Sequence, residues 1–160
     1  MSKKVDYVVA IVLKEKGSDK FLEVKRPPED TDLANNWGLP AATMKPGELP
    51  EDCAKRVCAE KLGCSAKPTR FIGLMFQKRN AYDLFLMDIE MELTGVVKPD
   101  INKAETENTA YVEQKWTTDP KELLPSAKLG SCCSSIYLTD LGILDKDEWI
   151  ASLEGSDIVG

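Results

Sequence analysis

The 160-residue chain contains no histidine. That absence excludes Ser-His-Asp and Cys-His nucleophile chemistry and every histidine-ligated metal site. Any catalysis must use carboxylates, lysine, tyrosine, cysteine or a metal held by oxygens. Long apolar runs are also missing. Stretches such as Tyr7–Leu13 fall far short of the roughly 20 residues that span a bilayer, so no membrane helix is expected. No small-residue cleavage site follows the short basic start, so no secretory signal is read. Basic residues are in deficit: 21 Lys and Arg against 27 Asp and Glu leave a formal charge of −6. With no basic stripe, long nucleic acid is excluded as a partner, whereas a small nucleotide held by a metal ion and a few cations is not. The five cysteines cannot all pair internally, and reduced cytoplasmic thiols are the expectation. Cys53, Cys58 and Cys64 lack both a CxxC spacing and a histidine partner, which argues against zinc. Cys132-Cys133 would be redox-sensitive only if exposed.

What is present is an ordinary globular composition, 42% apolar and 30% charged. One domain over residues 1–160 is expected, with 154–160 a frayed tail. Strands are predicted over Tyr7–Leu13, Phe21–Arg26, Trp37–Met44, Phe71–Gln77, Tyr82–Leu93 and Ala110–Thr117. Glu29–Asn36 and Pro99–Asn108 read as polar loops. The clearest helix starts at Pro50, which suits the first helical position, and Glu51 and Asp52 complement its dipole. Cys53, Ala54, Val57, Cys58 and Leu62 form its apolar side, and Gly63 caps it. Asp119 to Leu124 has a capped helix start. Ser131–Leu141 and Asp145–Leu153 are predicted helices. The order β-β-β-α-β-β-β-α implies a mixed β-sheet flanked by helices, an α+β or α-β-α sandwich class.

The stretch Ala42–Cys64 resembles the Nudix box, G-x5-E-x7-R-E-U-x-E-E-x-G-U with U a bulky apolar residue. Glu48, Arg56, Glu60 and Gly63 match at the right spacing, and Cys58 and Cys64 take the apolar positions. Trp37, Leu39 and Pro40 before the box, the Pro46-Gly47-Glu48 turn, and Glu113, Trp116 and Glu122-Leu123 after it are similar to the family as well. Three positions depart: Ala42 replaces the first glycine, Val57 the glutamate after the arginine, and Lys61 the second glutamate of the final pair. Ala42 resists positive φ, so a different loop path is expected.

The resemblance implies the Nudix fold and a MutT-like pyrophosphohydrolase that cleaves the diphosphate of a nucleoside diphosphate linked to another group. In the family, glutamates at positions 57, 60 and 61, one helix face by their i, i+3, i+4 spacing, hold Mg²⁺ or Mn²⁺. Only Glu60 remains of the three, so a weakened metal site is expected. Glu60 is the candidate metal ligand, with Glu48 beside it. Arg56 is the candidate orienting residue, and forms a ladder with Asp52 and Glu60 if its role is only that of a surface pair. Glu113 is the candidate base or further ligand, ahead of Glu105 and Glu107. Lys61 has two readings: a solvated helix residue, or a tethered cation that pairs with Glu60 or contacts phosphate. Trp37 and Tyr82 are either core aromatics or base-stacking platforms. Arg26, Lys78 and Arg79 are phosphate ligands or surface charges. Asp83, Asp88, Glu90 and Glu92 read as a solvated strand face.

Three functions follow. The first is the hydrolase. The second is a Nudix-fold nucleotide-binding or interaction module with impaired catalysis, favoured by the loss of two metal carboxylates. The third is a structural subunit, of which a homodimer is the simplest form.

Overall fold

The structure, a computed structural model, describes residues 3–28, 33–105 and 111–153. The expected frayed tail, 154–160, lies outside the described residues. The backbone is one mixed sheet with helices on both faces, the architecture expected from the sequence. The strands are β1 (Lys4–Lys14), β2 (Phe21–Lys25), β3 (Trp37–Gly38), β4 (Ala41–Thr43), β5 (Ala66–Arg79), β6 (Tyr82–Leu93), β7 (Glu113–Thr117) and β8 (Ser152–Leu153). They run in the order β3-β2-β1-β6-β5-β8, with β4 paired to β1 and β7 to β2. β1 lies parallel to β6, while β5 and β6 form an antiparallel hairpin.

β1 is apolar without alternation because both of its faces are covered. Val8, Ala10 and Val12 pack under α3 (Cys132–Asp140), and Val9, Ile11 and Leu13 pack under α1 (Pro50–Leu62). In α1 the residues Cys53, Ala54, Val57, Cys58 and Leu62 are buried, as their spacing predicts. Gly63 adopts φ 59°, and the Cys64 N–H returns to the Cys58 carbonyl at 3.1 Å, which closes the helix. Ser131 caps α3 through its hydroxyl, and a short α2 (Leu124–Lys128) precedes it.

Several expectations are corrected. Trp37–Met44 is not one strand: Pro40 divides it, so β3 joins β2 and β4 joins β1. β5 begins at Ala66, earlier than expected. Asp145–Leu153 is not a helix. The Asp145–Glu148 capping box is satisfied within a single 3-10 turn, Lys146–Glu148. The Trp149 indole N–H then donates to Thr139 Oγ1 at 2.8 Å, and Gln77 Nε2 donates to the Ile150 carbonyl at 2.5 Å. These bonds draw the chain to the sheet, where β8 pairs parallel with Lys78–Arg79. Asp88 is not solvated. It follows Leu84 and Leu86 onto the α3 face, is fully buried, and has no hydrogen bond to either oxygen among the described residues. Burial raises its pKa well above the usual carboxylate value. No helix among the described residues is long and apolar enough to cross a membrane.

Candidate functional site

The β4–α1 loop and the solvent edge of α1 build the site. Ala42 sits within β4 opposite Val9, in extended backbone, so it does not need the freedom of glycine. Gly47, at φ +78°, makes the turn that sends the chain into α1.

Arg56 ties the loop to the helix. Its Nε donates to Glu48 Oε2 at 2.9 Å, and its terminal nitrogens reach Glu48 Oε1 at 3.0 Å, the Thr43 carbonyl at 2.8 Å and Glu60 Oε2 at 3.3 Å. The expected ladder through Asp52 is replaced by this bidentate grip on Glu48. Glu48 also accepts the Lys45 N–H at 3.0 Å. The guanidinium holds the Glu48 carboxyl down at about 2, and Glu48 in turn raises Arg56. Both oxygens of Glu48 are therefore committed to the protein, and the geometry makes it a brace of the loop.

Glu60 is freer. Its side chain is one-third exposed, with Arg56 at 3.3 Å and the Lys45 ammonium at 4.0 Å. Val57, where the box pattern has a glutamate, is 1% exposed in the core under the sheet, as its place on the apolar side of α1 predicts. Lys61 is not a freely solvated residue. Its ammonium donates to the Ala41 carbonyl at 2.5 Å and lies 5.4 Å from the Tyr111 ring centroid. The Tyr111 hydroxyl accepts the Ala41 N–H at 3.0 Å, and Arg26 lies 5.8 Å from the same ring. Ala41 and Thr43, alternate residues of β4, point their carbonyls outward, and Lys61 and Arg56 satisfy them. Sequence reasoning missed Tyr111, for which a separation of 50 positions from Lys61 left no local signal.

The expected donor set for a divalent ion does not assemble. Magnesium and manganese take several oxygen ligands. Here one committed carboxylate, Glu48, and one half-free carboxylate, Glu60, are paired with Arg56 and Lys45, while the Lys61 ammonium is held on the Ala41 carbonyl of β4. Among the described residues no three Asp, Glu, Cys or His side chains come together as a metal cluster. The residues present fit a resident metal poorly.

The remaining candidates are dispersed. Glu113 is 59% exposed and pairs with Lys25 at 3.9 Å, so its described contact is with β2 and not with the box. Glu105 donates its backbone N–H to the Glu60 carbonyl at 2.7 Å, while its side chain is exposed. Glu107 lies outside the described residues. Tyr82 is buried and its hydroxyl accepts from Arg79, which is itself 1% exposed and bonded to Gln77 at 2.8 Å. Base stacking by Tyr82 and phosphate binding by Arg79 are thereby ruled out in this arrangement. Lys78 is exposed on β5. All five cysteines are free and buried, and burial pushes Cys53 up to about 11 and Cys132 up to about 12. The Cys132-Cys133 pair is therefore a set of packed thiols rather than an exposed redox site.

Trp37 is half-buried. Lys115 stands 4.4 Å and Lys25 5.6 Å from its ring centroid. Below lies a second charged group that the sequence did not disclose. Glu23 is fully buried, 3.3 Å from the Lys115 ammonium, which also pairs with Glu122. Burial and the neighbouring Glu122 raise Glu23 to about 8, while Lys115 holds Glu122 at about 2. On the other side of Trp37, Arg26, Asn36, Ser126, Ser131 and Cys133 line a cleft with room for about one water, ≈ 10 Å³. A larger cleft of ≈ 540 Å³ runs between Lys4–Tyr7 and the Thr43–Glu48 loop, with Lys45 on its wall.

A family model described as the NUDIX domain matches residues 3–128. The fold is shared with a MutT protein from Methanosarcina mazei Go1 at TM-score 0.65 and 16% identity, covering 91% of this chain and 99% of that one. A NUDIX hydrolase from Nitrosomonas europaea superposes at TM-score 0.56 and 24% identity over 72% of this chain and 73% of that one. A MutT NUDIX hydrolase from Burkholderia pseudomallei gives TM-score 0.58 and 15% identity, covering 72% and 84%. Matched by that family model over most of its length and sharing the layered sheet of these structures, the chain belongs to the Nudix family.

Proposed function

We propose that the chain binds a small nucleoside diphosphate-linked molecule at the box, and that its turnover of the diphosphate is impaired. Nudix hydrolases generally act on pyrophosphate bonds and generally use divalent metals. The observation that carries the proposal is the exchange of charge on α1. Where the family places three carboxylates, this helix presents buried Val57, a Glu60 shared with Arg56 and Lys45, and a Lys61 ammonium. Three cations against two carboxylates suit an anion better than a divalent cation. The diphosphate would lie against Lys61 and Lys45. Arg56 would hold the loop in place through Glu48, and Trp37 would provide the aromatic contact for the base. Entry of a base beside Trp37 requires the small cleft there to widen.

A second reading is a slow metal-dependent hydrolase in which Glu60 is the one carboxylate left of the three metal-binding box positions 57, 60 and 61. One observation favours it: the ion pairs of Glu60 are long, at 3.3 and 4.0 Å, and leave the carboxylate partly exposed. An Mg²⁺ or Mn²⁺ ion carried in on substrate phosphates needs only one or two protein carboxylates. Glu113 would then be the base only if it left Lys25.

The test is a panel of nucleoside triphosphates, dinucleoside polyphosphates, ADP-ribose and sugar nucleotides, each with Mg²⁺, Mn²⁺ or chelator. Thermal stabilisation reads binding, and a ligand at a hundred times its Kd adds roughly 2.7 kcal/mol. Phosphate release, compared with a Glu60→Gln variant, reads turnover. The proposal expects stabilisation without metal-dependent release. Release that needs metal and vanishes in Glu60→Gln establishes the second reading and overturns the first.

A further inference from the structure

We infer that the Lys61 ammonium is the built-in cation of this site, standing in for the divalent metal of the family, so that diphosphate is bound without any metal. The inference rests on the reading of the box as a diphosphate site and specifies what neutralises the phosphates.

Four observations carry it. The charge at position 61 is reversed relative to the box pattern. The ammonium is held in place, by the Ala41 carbonyl at 2.5 Å and by the Tyr111 ring at 5.4 Å, rather than free on a flexible stem. It is not neutralised by the adjacent Glu60, whose partners are Arg56 and Lys45. An ammonium has three donors, and among the described residues only Ala41 accepts from this one, which leaves donors for anionic oxygens. Arg26 adds a second positive charge on the Tyr111 ring. A divalent ion placed at Glu60 would meet Lys45 and Arg56, so the cations already beside this carboxylate oppose a metal there.

Inorganic pyrophosphate and ADP are the probes, titrated calorimetrically into the full chain with EDTA and again with Mg²⁺. The inference expects pyrophosphate binding in EDTA that Mg²⁺ does not strengthen. Lys61→Met, which keeps the apolar stem, should weaken binding by roughly ten- to hundred-fold, the loss of a charge-assisted contact. Lys61→Glu should abolish binding in EDTA and make the remainder Mg²⁺-dependent. A melting curve of each apo variant confirms that it folds. Binding only with Mg²⁺, or equal affinity in wild type and a folded Lys61→Met, overturns the inference while leaving the diphosphate site standing. Pyrophosphate binding in EDTA with ADP no tighter than pyrophosphate supports the inference and instead refutes the nucleoside part of the proposed function.

Discussion

Among single residues, Arg56 and Glu60 occupy the motif positions, but their partners decide what they do. Arg56 spends its donors on Glu48, Glu60 and Thr43, so Arg56→Ala strands the Glu48 carboxylate and an outward carbonyl. Breaking such a partly buried pair costs about 3 kcal/mol, measurable by urea unfolding. The same pair gives the protein an acid limit. Glu48 falls to about 2 in the folded state from 4.5 unfolded, so its stabilisation is complete above pH 4.5 and is lost as pH falls through 2. In Glu48→Gln that segment of the stability profile should flatten. Glu23 has the opposite sign. Its folded value of about 8 lies above the unfolded 4.5, so its contribution is full below pH 4.5 and is lost as pH rises through 8. Glu23→Gln should therefore raise the melting temperature at pH 8 relative to wild type and by less at pH 5. A lower melting temperature for Glu23→Gln at pH 8 would show that the Glu23–Lys115 contact outweighs the cost of burial.

Among the elements, α1 is legible from sequence because every signal agrees: Pro50 at its start, acids in the first turn, apolar spacing and Gly63 at its end. Gly63→Ala should cost about 1–2 kcal/mol, read by urea unfolding. The residue holds φ +59°, and an added methyl would meet the Lys103 side chain at 2.6 Å. Val57→Glu, which restores the family residue, should destabilise the fold, because the position faces the sheet core at 1% exposure. A melting temperature equal to wild type would mean that the helix rotates to expose this position. The 145–153 segment misleads because Asp145 and Glu148 announce a helix start, whereas the segment's fate is set by Thr139 in the preceding helix and by Gln77, 73 residues from its partner Ile150. Asp88 misleads for the same reason. Its alternation with Leu84 and Leu86 is visible in the sequence, but α3 above it is not.

Across the whole molecule, the acidic chain gathers cations at one place. The net charge is −6, yet Lys45, Arg56 and Lys61 converge on the β4–α1 edge with Arg26 close by. The box matches announce the fold and Arg56, and the departures at 57 and 61 announce the missing carboxylates. The seat of Lys61 on Ala41 and Tyr111 is not legible, since three separate segments meet there. Ligand affinity at such a site should fall as salt rises from low to physiological strength, because part of the attraction is screened. Helix α1 thus carries a cation where its family carries a metal site, and titration of the unliganded wild type with Mn²⁺, followed by electron paramagnetic resonance, is the decisive check. The free-ion signal should grow in proportion to added Mn²⁺, with a saturable site emerging in Lys61→Glu; a stoichiometric Mn²⁺ site in wild type that Glu60→Gln removes would show instead that the metal site survives.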